Sequence, residues 1–366
     1  MFAPEAPVSA EFLAAVAEVI SSFLTEQREV LAGIGADAAP LTELAGSFTA
    51  GGKRLRPAFC AWGWIAVAGV PAAPAGLIKA AASLDVLHVS ALMHDDVMDS
   101  SDTRRGQPSA HRQLAALHAA RGLRGDADAF GRGGAILLGD LLLVWSQEMF
   151  RRSGLPAEAI TRAMPVMEAV LTEVTTGQFL DILAQARPAL DARTSPDEVL
   201  AQVRQVLEYK TARYTVIRPL QIGAALAGGS PEVLETLGRY GSAVGRAFQL
   251  RDDVLGIFGD AEVTGKPAGD DLREGKLTAL LAHALRLAPE AEATTLAGLA
   301  GRRDLNADEV AQARRIISGS GALAAVEAEI AEAIEAAVSC LAAAPITPAA
   351  RTALANLAHA AADRSS

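Results

Sequence analysis

An all-α fold, organised as one helical domain, is what this chain of 366 residues predicts, on three observations. Apolar residues recur at helical spacing along nearly the whole length, and alternating strand patterns are absent. Aromatics make up only 4% of residues while Ala, Leu, Val and Gly dominate, which suits closely packed helices with small residues at their contacts. No fixed-period repeat and no long linker interrupts the pattern. The economical organisation is therefore a single helical bundle over 1–366, with a chemistry-bearing core at about 51–276 and an Ala-rich helical portion at 277–366.

The elements follow in order. SAEFLAAVAEVISSFLTEQREVLAGI predicts an amphipathic helix with Ser9 as its N-cap. RPAFCAWGWIAVAG starts a second, with Pro57 tolerated in its first turn. PAGLIKAAASLDVLHVSALMHDDVMD reads as a long buried helix that runs directly into a charged stretch. Further helices are predicted near 108–120, 134–152, 157–186, 196–212, 213–228 and 231–258. Between them fall the breakers RGLRGDADAFGRGG (121–134), ARPALDARTSP (186–196), AGGSP (227–231) and GDAEVTGKPAGDD (259–271).

A formal charge of −10 argues against nucleic acid as a partner, which would call for a basic face. The charge is uneven: residues 1–50 hold seven acids and one Arg, whereas residues 51–125 hold nine Lys/Arg and five acids. That local cationic excess fits either an anion site or a solvated helix face. Cys60 and Cys340 are isolated thiols without metal-ligand spacing, which points to a reducing compartment. The N-terminus lacks the basic region of a signal peptide, and no run of about 20 apolar residues is free of charges and breakers. The expectation is a cytoplasmic protein with no membrane span.

Three constellations carry chemistry. In HDDVMDSSDTRRG (94–106), Asp95 and Asp99 stack one helical turn apart with Asp96 beside them. Like charges at that spacing repel, and carboxylates at a helix C-terminus oppose its dipole. A divalent cation would reverse both penalties, and Mg²⁺ in particular takes oxygen ligands and completes its shell with water and phosphates. Neutralisation by Arg104 and Arg105 is the competing explanation. In FQLRDDVLGIFGD (248–260), Asp252 and Asp253 again close an apolar helix and share a face with Gln249. A Gly-rich loop bearing Lys266, Asp270, Asp271, Arg273 and Lys276 follows. In GGKRLRP (51–57), Lys53, Arg54 and Arg56 crowd onto a helix start, an awkward place for cations unless an anion sits there. His88 lies two turns before Asp95 and could donate to a phosphate or simply fill the core. Lys210 and Thr211 in EYKTARYT, and Gln178 and Asp181 in TTGQFLDI, are weaker signals.

In this order, GGKRLRP, HDDVMDSSDTRRG, GQFLD, FQLRDD and GKPAGDDLREGK resemble the trans-isoprenyl diphosphate synthase (polyprenyl synthetase) family, most nearly the bacterial geranylgeranyl diphosphate synthases, over about Gly51–Lys276. The resemblance implies an all-α isoprenoid-synthase bundle with a central active-site cavity. It implies a homodimer that joins isopentenyl diphosphate to an allylic diphosphate, with three Mg²⁺ ions (or Mn²⁺) as cofactor. On it, Asp95 and Asp99 are ligands for two ions and Asp252 for a third, with Asp96 and Asp253 supporting them. Arg104, Lys210, Gln249, Lys266 and Lys276 would hold the allylic diphosphate; Lys53, Arg56, His88 and Arg105 would hold isopentenyl diphosphate; Thr211 would be a further substrate-binding residue. Asp95, Asp96, Asp99, Arg104, Lys210, Asp252 and Lys266 would carry catalysis.

Gly256 departs from the family's second motif, which usually carries a third Asp there; Asp260, one turn further on, could in part substitute. Leu87, Ser90 and Ala91 lie on the helix that would descend into the hydrocarbon pocket at about 5.4 Å per turn. Small residues one turn below Asp95 leave room for a growing chain, so a C20 product is expected, with longer chains next. A class I terpene cyclase and a non-catalytic synthase subunit are the alternatives. GGKRLRP, His88 and Arg105 favour condensation over cyclisation, and Gly256 is the feature that favours the subunit.

Overall fold

The computed structural model describes residues 1–186, 196–259 and 269–362, and most of them are helical. They form two compact units, Met1–Ala163 with Gly223–Gly228, and Met164–Ile222 with Gly229–Ser366.

The first unit opens with α1 (Ala10–Ile34), begun where the Ser9 hydroxyl accepts the Phe12 N–H at 3.2 Å. After α2 (Ala39–Thr49) and α3 (Leu55–Ala68) comes α4 (Ala75–Met98), the helix on which the unit is built. By length and composition α4 could cross a bilayer, but 72% of its most apolar window is buried among its neighbours, and it carries Lys79 and Asp85. Leu77, Leu84, Leu87 and Met93 are all core residues; each such burial contributes about 1.5–3 kcal/mol.

α5 (Ala110–Ala120) and α6 (Ala127–Arg151) follow a short hairpin, β1 (Thr103–Arg104) with β2 (Gln107–Pro108), which no alternating pattern announced. α6 starts seven residues earlier than predicted. Gly131 and Gly134 are contact residues and not breakers: a Cβ at Gly131 would lie 2.2 Å from the His111 carbonyl oxygen, and one at Gly134 would lie 2.8 Å from Leu114 Cδ1. Asp126 caps the helix by accepting the Ala129 N–H at 2.6 Å.

The second unit takes α7 (Ala157–Gln185) from Met164 onward, then α8 (Pro196–Val206). Two α-helices meeting near 212 are predicted here. The chain instead forms a π-helical segment over Leu207–Ile217 before α9 (Arg218–Leu226). Long-range contacts hold that wider helix. A Cβ at Gly177 of α7 would lie 2.7 Å from Lys210 N, and one at Gly245 would lie 2.4 Å from Ala212 Cα. Glu173 of α7 also accepts from Arg213 Nη1 and Arg218 Nε, each at 2.7 Å.

Gly245 belongs to α10 (Pro231–Phe258), capped by Ser230. The single-turn α11 (Asp270–Glu274) and the helices α12 (Ala279–Leu287), α13 (Glu290–Leu299), α14 (Ala307–Gly319), α15 (Ala322–Ala342) and α16 (Pro348–Ala362) complete the unit. Tyr240 of α10 donates to the Leu354 carbonyl at 2.7 Å and so fastens α16.

Candidate active site

In the first unit, α4 delivers its carboxylates at its C-terminal end, with Asp99 as the C-cap. Asp96 is fully buried and takes Arg104 Nε on Oδ1 at 2.8 Å, with Arg104 Nη2 on the same oxygen. Burial pushes the Asp96 carboxyl above its ordinary value against the pull of Arg104. Its Oδ2 is buried and accepts no hydrogen bond.

Asp102 is drawn off to Arg112 at 2.6 Å. The local ion pair anticipated as the competing explanation therefore exists, between Arg104 and Asp96.

The hairpin separates the two arginines. Arg105 and Gly106 form its two-residue turn, both with positive φ (53° and 75°), the geometry that matches strand twist. Arg104 therefore faces Asp96 from β1, while Arg105 Nη1 donates to the Phe48 and Gly51 carbonyls at 3.0 and 2.9 Å. Gly52 (φ 116°) leaves room for that guanidinium, since a Cβ there would lie 3.1 Å from Arg105 Nη2.

Arg54 turns inward, buried against Asp85 and the Thr49 carbonyl. Burial and the charge of Arg105 bring it down to about 10, so the GGKRLRP stretch is not simply an exposed basic turn. His88 joins this group. Burial, then the positive charges of Arg56, Arg105, Arg104 and Arg54, hold its imidazole well below the ordinary value, so it is neutral at pH 7.

Of the chain-length candidates, Ser90 is buried and donates to the Gly139 carbonyl of α6 at 2.7 Å, so its hydroxyl serves the α4–α6 contact. Leu87 is also buried, and Ala91 alone of the three is only half-buried.

In the second unit, Lys210, Thr211, Gln249, Asp253, Asp181 and Lys276 line one narrow cleft. Lys210 Nζ donates to Asp181 Oδ2 at 2.5 Å. Thr211 Oγ1 donates to Gln249 Oε1 at 2.7 Å, and Gln249 Nε2 donates to Asp253 Oδ1 at 2.8 Å. Asp253 is turned into the core, where its Oδ2 takes the Ala279 N–H at 3.3 Å and burial pushes it up to about 7. It orients Gln249, while its half-buried neighbour Asp252 is the more exposed of the pair. The Coulomb field of Asp271, then of Asp253, raises Lys276 above its ordinary value and keeps it charged. Lys266 and Asp260 lie outside the described residues.

These donors suit a hard cation. Among the described residues no three His, Cys, Asp or Glu side chains enclose an ion alone. Mg²⁺ does not need such a cage, since it binds through one or two carboxylates and completes its shell with water and phosphate. The unsatisfied Asp96 Oδ2 beside Asp95 is an acceptor of the right type in the right place.

Residues 39–317 match the polyprenyl synthetase family. The chain belongs to that family. A short chain isoprenyl diphosphate synthase of Methanothermobacter thermautotrophicus is 33% identical to it over 256 residues, 70% of each chain. The geranylfarnesyl diphosphate synthase of Aeropyrum pernix is 34% identical over 277 residues, covering 75% of this chain and 78% of that one. A crystal structure of geranylgeranyl pyrophosphate synthase from Corynebacterium glutamicum, complexed with isoprenyl diphosphate and magnesium, superposes with a TM-score of 0.90 at 39% identity, covering 97% of this chain and 99% of that one. The polyprenyl synthetase is thus an all-α prenyltransferase of the isoprenyl synthase fold, as its motifs implied.

Sequence reasoning did not find the Arg54–Asp85 pair or the close approach at Gly177. A buried partner 31 residues away and a backbone contact leave no local signal.

Proposed function

We propose that this polyprenyl synthetase condenses isopentenyl diphosphate with allylic diphosphates head-to-tail, giving geranylgeranyl diphosphate, the C20 product. The observation that carries it is the pairing of chemistries. Each of two long helices, α4 and α10, ends in aspartates, and each unit supplies its own cations: Arg104, Arg105 and Arg56 in one, Lys210 and Lys276 in the other.

In this assignment Asp95, Asp99 and Asp252 hold three Mg²⁺ ions, replaceable by Mn²⁺, with Asp96 and Asp253 fixing the neighbouring groups. Bound metal supplies Lewis-acid stabilisation of the departing diphosphate. Arg104, Lys210, Thr211, Gln249, Lys266 and Lys276 bind the allylic diphosphate and hold it while the C–O bond ionises, placing fixed charge where negative charge develops. Lys53, Arg56, His88 and Arg105 orient isopentenyl diphosphate so that its alkene meets the allylic cation. A proton then passes from the adduct to the released diphosphate, and no side-chain nucleophile is needed.

The whole chain works as one catalytic domain, in the cytoplasm and as a homodimer. The undisulfided Cys60 and Cys340 support the compartment, and exposed Ile136, Leu137 and Val144 on α6 support association.

Incubating the purified protein with Mg²⁺, labelled isopentenyl diphosphate and each allylic diphosphate, then sizing the products, tests the proposal. A C20 product is expected. No elongation refutes it, and a cyclised hydrocarbon marks a terpene cyclase. Asp95→Ala should lower turnover by about 10³-fold, since metal stabilisation is worth several kcal/mol. A rate near wild type refutes the metal assignment.

A further inference from the structure

Asp252 and position 256 stand one turn apart on the same face of α10, and position 256 is a glycine. A Cβ added there would lie 2.0 Å from Asp271 Oδ2 and 2.7 Å from its Cγ. The room that a side chain at 256 would need is filled by a carboxylate delivered from α11.

Backbone geometry fixes that delivery. Gly269 and Gly275 bracket α11 with φ of 79° and 70°, a conformation glycine adopts without strain. The Lys276 N–H donates to the Asp271 carbonyl at 2.9 Å, and the Gly301 N–H donates to the Leu272 carbonyl at 2.9 Å. Asp271 itself is buried, with Oδ1 4.0 Å from Lys276 Nζ.

We propose that Asp271 stands in for the missing side chain at 256 as the third carboxylate at this end of α10, positioning the metal-bound diphosphate that Asp252 and Lys276 hold. Gly256 is then no sign of a weakened enzyme but the condition for Asp271 to reach its place. The inference rests on the metal–diphosphate chemistry proposed above. Asp271 is a positioning residue: it acts through the water shell of the ion and through Lys276.

The test is thermal unfolding of the full chain with inorganic diphosphate over a range of Mg²⁺ concentrations. Wild type gains melting temperature as Mg²⁺ is added, and Asp271→Asn needs about 10–100-fold more Mg²⁺ for half of that gain, the usual cost of losing an outer-shell partner. Gly256→Asp is damaged as well, because two carboxylates then compete for one space. The double variant Gly256→Asp/Asp271→Ala restores a carboxylate from the other side and responds to Mg²⁺ better than Asp271→Ala does.

An unchanged Mg²⁺ midpoint in Asp271→Asn, even with a lower melting temperature, makes Asp271 only a counter-ion of Lys276 and overturns the inference. A double variant no better than Asp271→Ala overturns it too. Absence of any Mg²⁺ response in wild type overturns the metal–diphosphate chemistry itself.

Discussion

Gly177→Ala sets two known effects against each other, and the structure decides the sign. In a helix interior, alanine is favoured over glycine by about 1 kcal/mol, so an unopposed substitution would stabilise α7. Here the new Cβ would lie 2.7 Å from Lys210 N, 2.8 Å from Tyr209 C and 3.0 Å from Lys210 Cα. All three are backbone atoms of the π segment and cannot rotate away. Overpacking of this kind costs about 1–3 kcal/mol, and three hard contacts place it at the upper end. The net loss is about 2 kcal/mol, or a melting temperature lower by about 2–3 °C for a chain of this size.

The same displacement moves Lys210 away from Asp181, now 2.5 Å apart, so kcat/KM should fall by about tenfold or more. Differential scanning calorimetry and initial rates on the purified variant measure both. Gly133→Ala on α6, where nothing lies within 4 Å of the added Cβ, serves as the control and should match or exceed wild-type stability. A Gly177→Ala protein as stable as wild type would refute the close approach of α7 to the π segment.

Three further outcomes are expected. Asp85→Ala strands Arg54 as a buried cation and should cost about 3–5 kcal/mol in urea unfolding; a loss below about 1 kcal/mol would show that the pair is not desolvated. Ala91→Phe should shift products below C20 in the chain-length assay, and an unchanged distribution would remove Ala91 from the hydrocarbon path. His88 is held below its ordinary value by burial and by neighbouring arginines, so an anion bound beside it offsets their charge and raises it. Binding then takes up a proton, and affinity for a diphosphate should tighten as pH falls through the raised value that His88 has in the complex. Titration calorimetry in buffers of different ionisation enthalpy measures that uptake, and equal uptake by His88→Gln contradicts the assignment.

The all-helical fold was legible because its signals are local: Ser9 and Ser230 mark true helix starts, and the periodicity of α4 and α10 needs no partner to be read. The site motifs were legible for another reason. Diphosphate and metal chemistry demands Asp, Lys and Arg, and no packing argument would place so many at the ends of apolar helices.

What was hidden depends on residues far away in sequence. The glycines of 121–134 look like a break, yet Gly131 and Gly134 are the surface on which α6 meets α5. Arg54 looks like a surface charge until Asp85 is found beside it. Ser90 looks like open space in the hydrocarbon path, but the Gly139 carbonyl claims its hydroxyl. The π segment has no periodicity separable from that of an α-helix over eleven residues, and its shape is settled by Gly177 and Gly245.

The π segment also makes chain length itself a constrained quantity. Its wider turns hold more residues than an α-helix would over the same rise, so it amounts to a retained insertion. Deleting one residue while the segment keeps its wider turns would swing everything beyond it by about a quarter turn. Lys210 on Asp181, near its start, and Arg218 on Glu173, just past its end, would then no longer face α7 together. Mutation between Leu207 and Ile217 is thus freer to exchange side chains than to change their number.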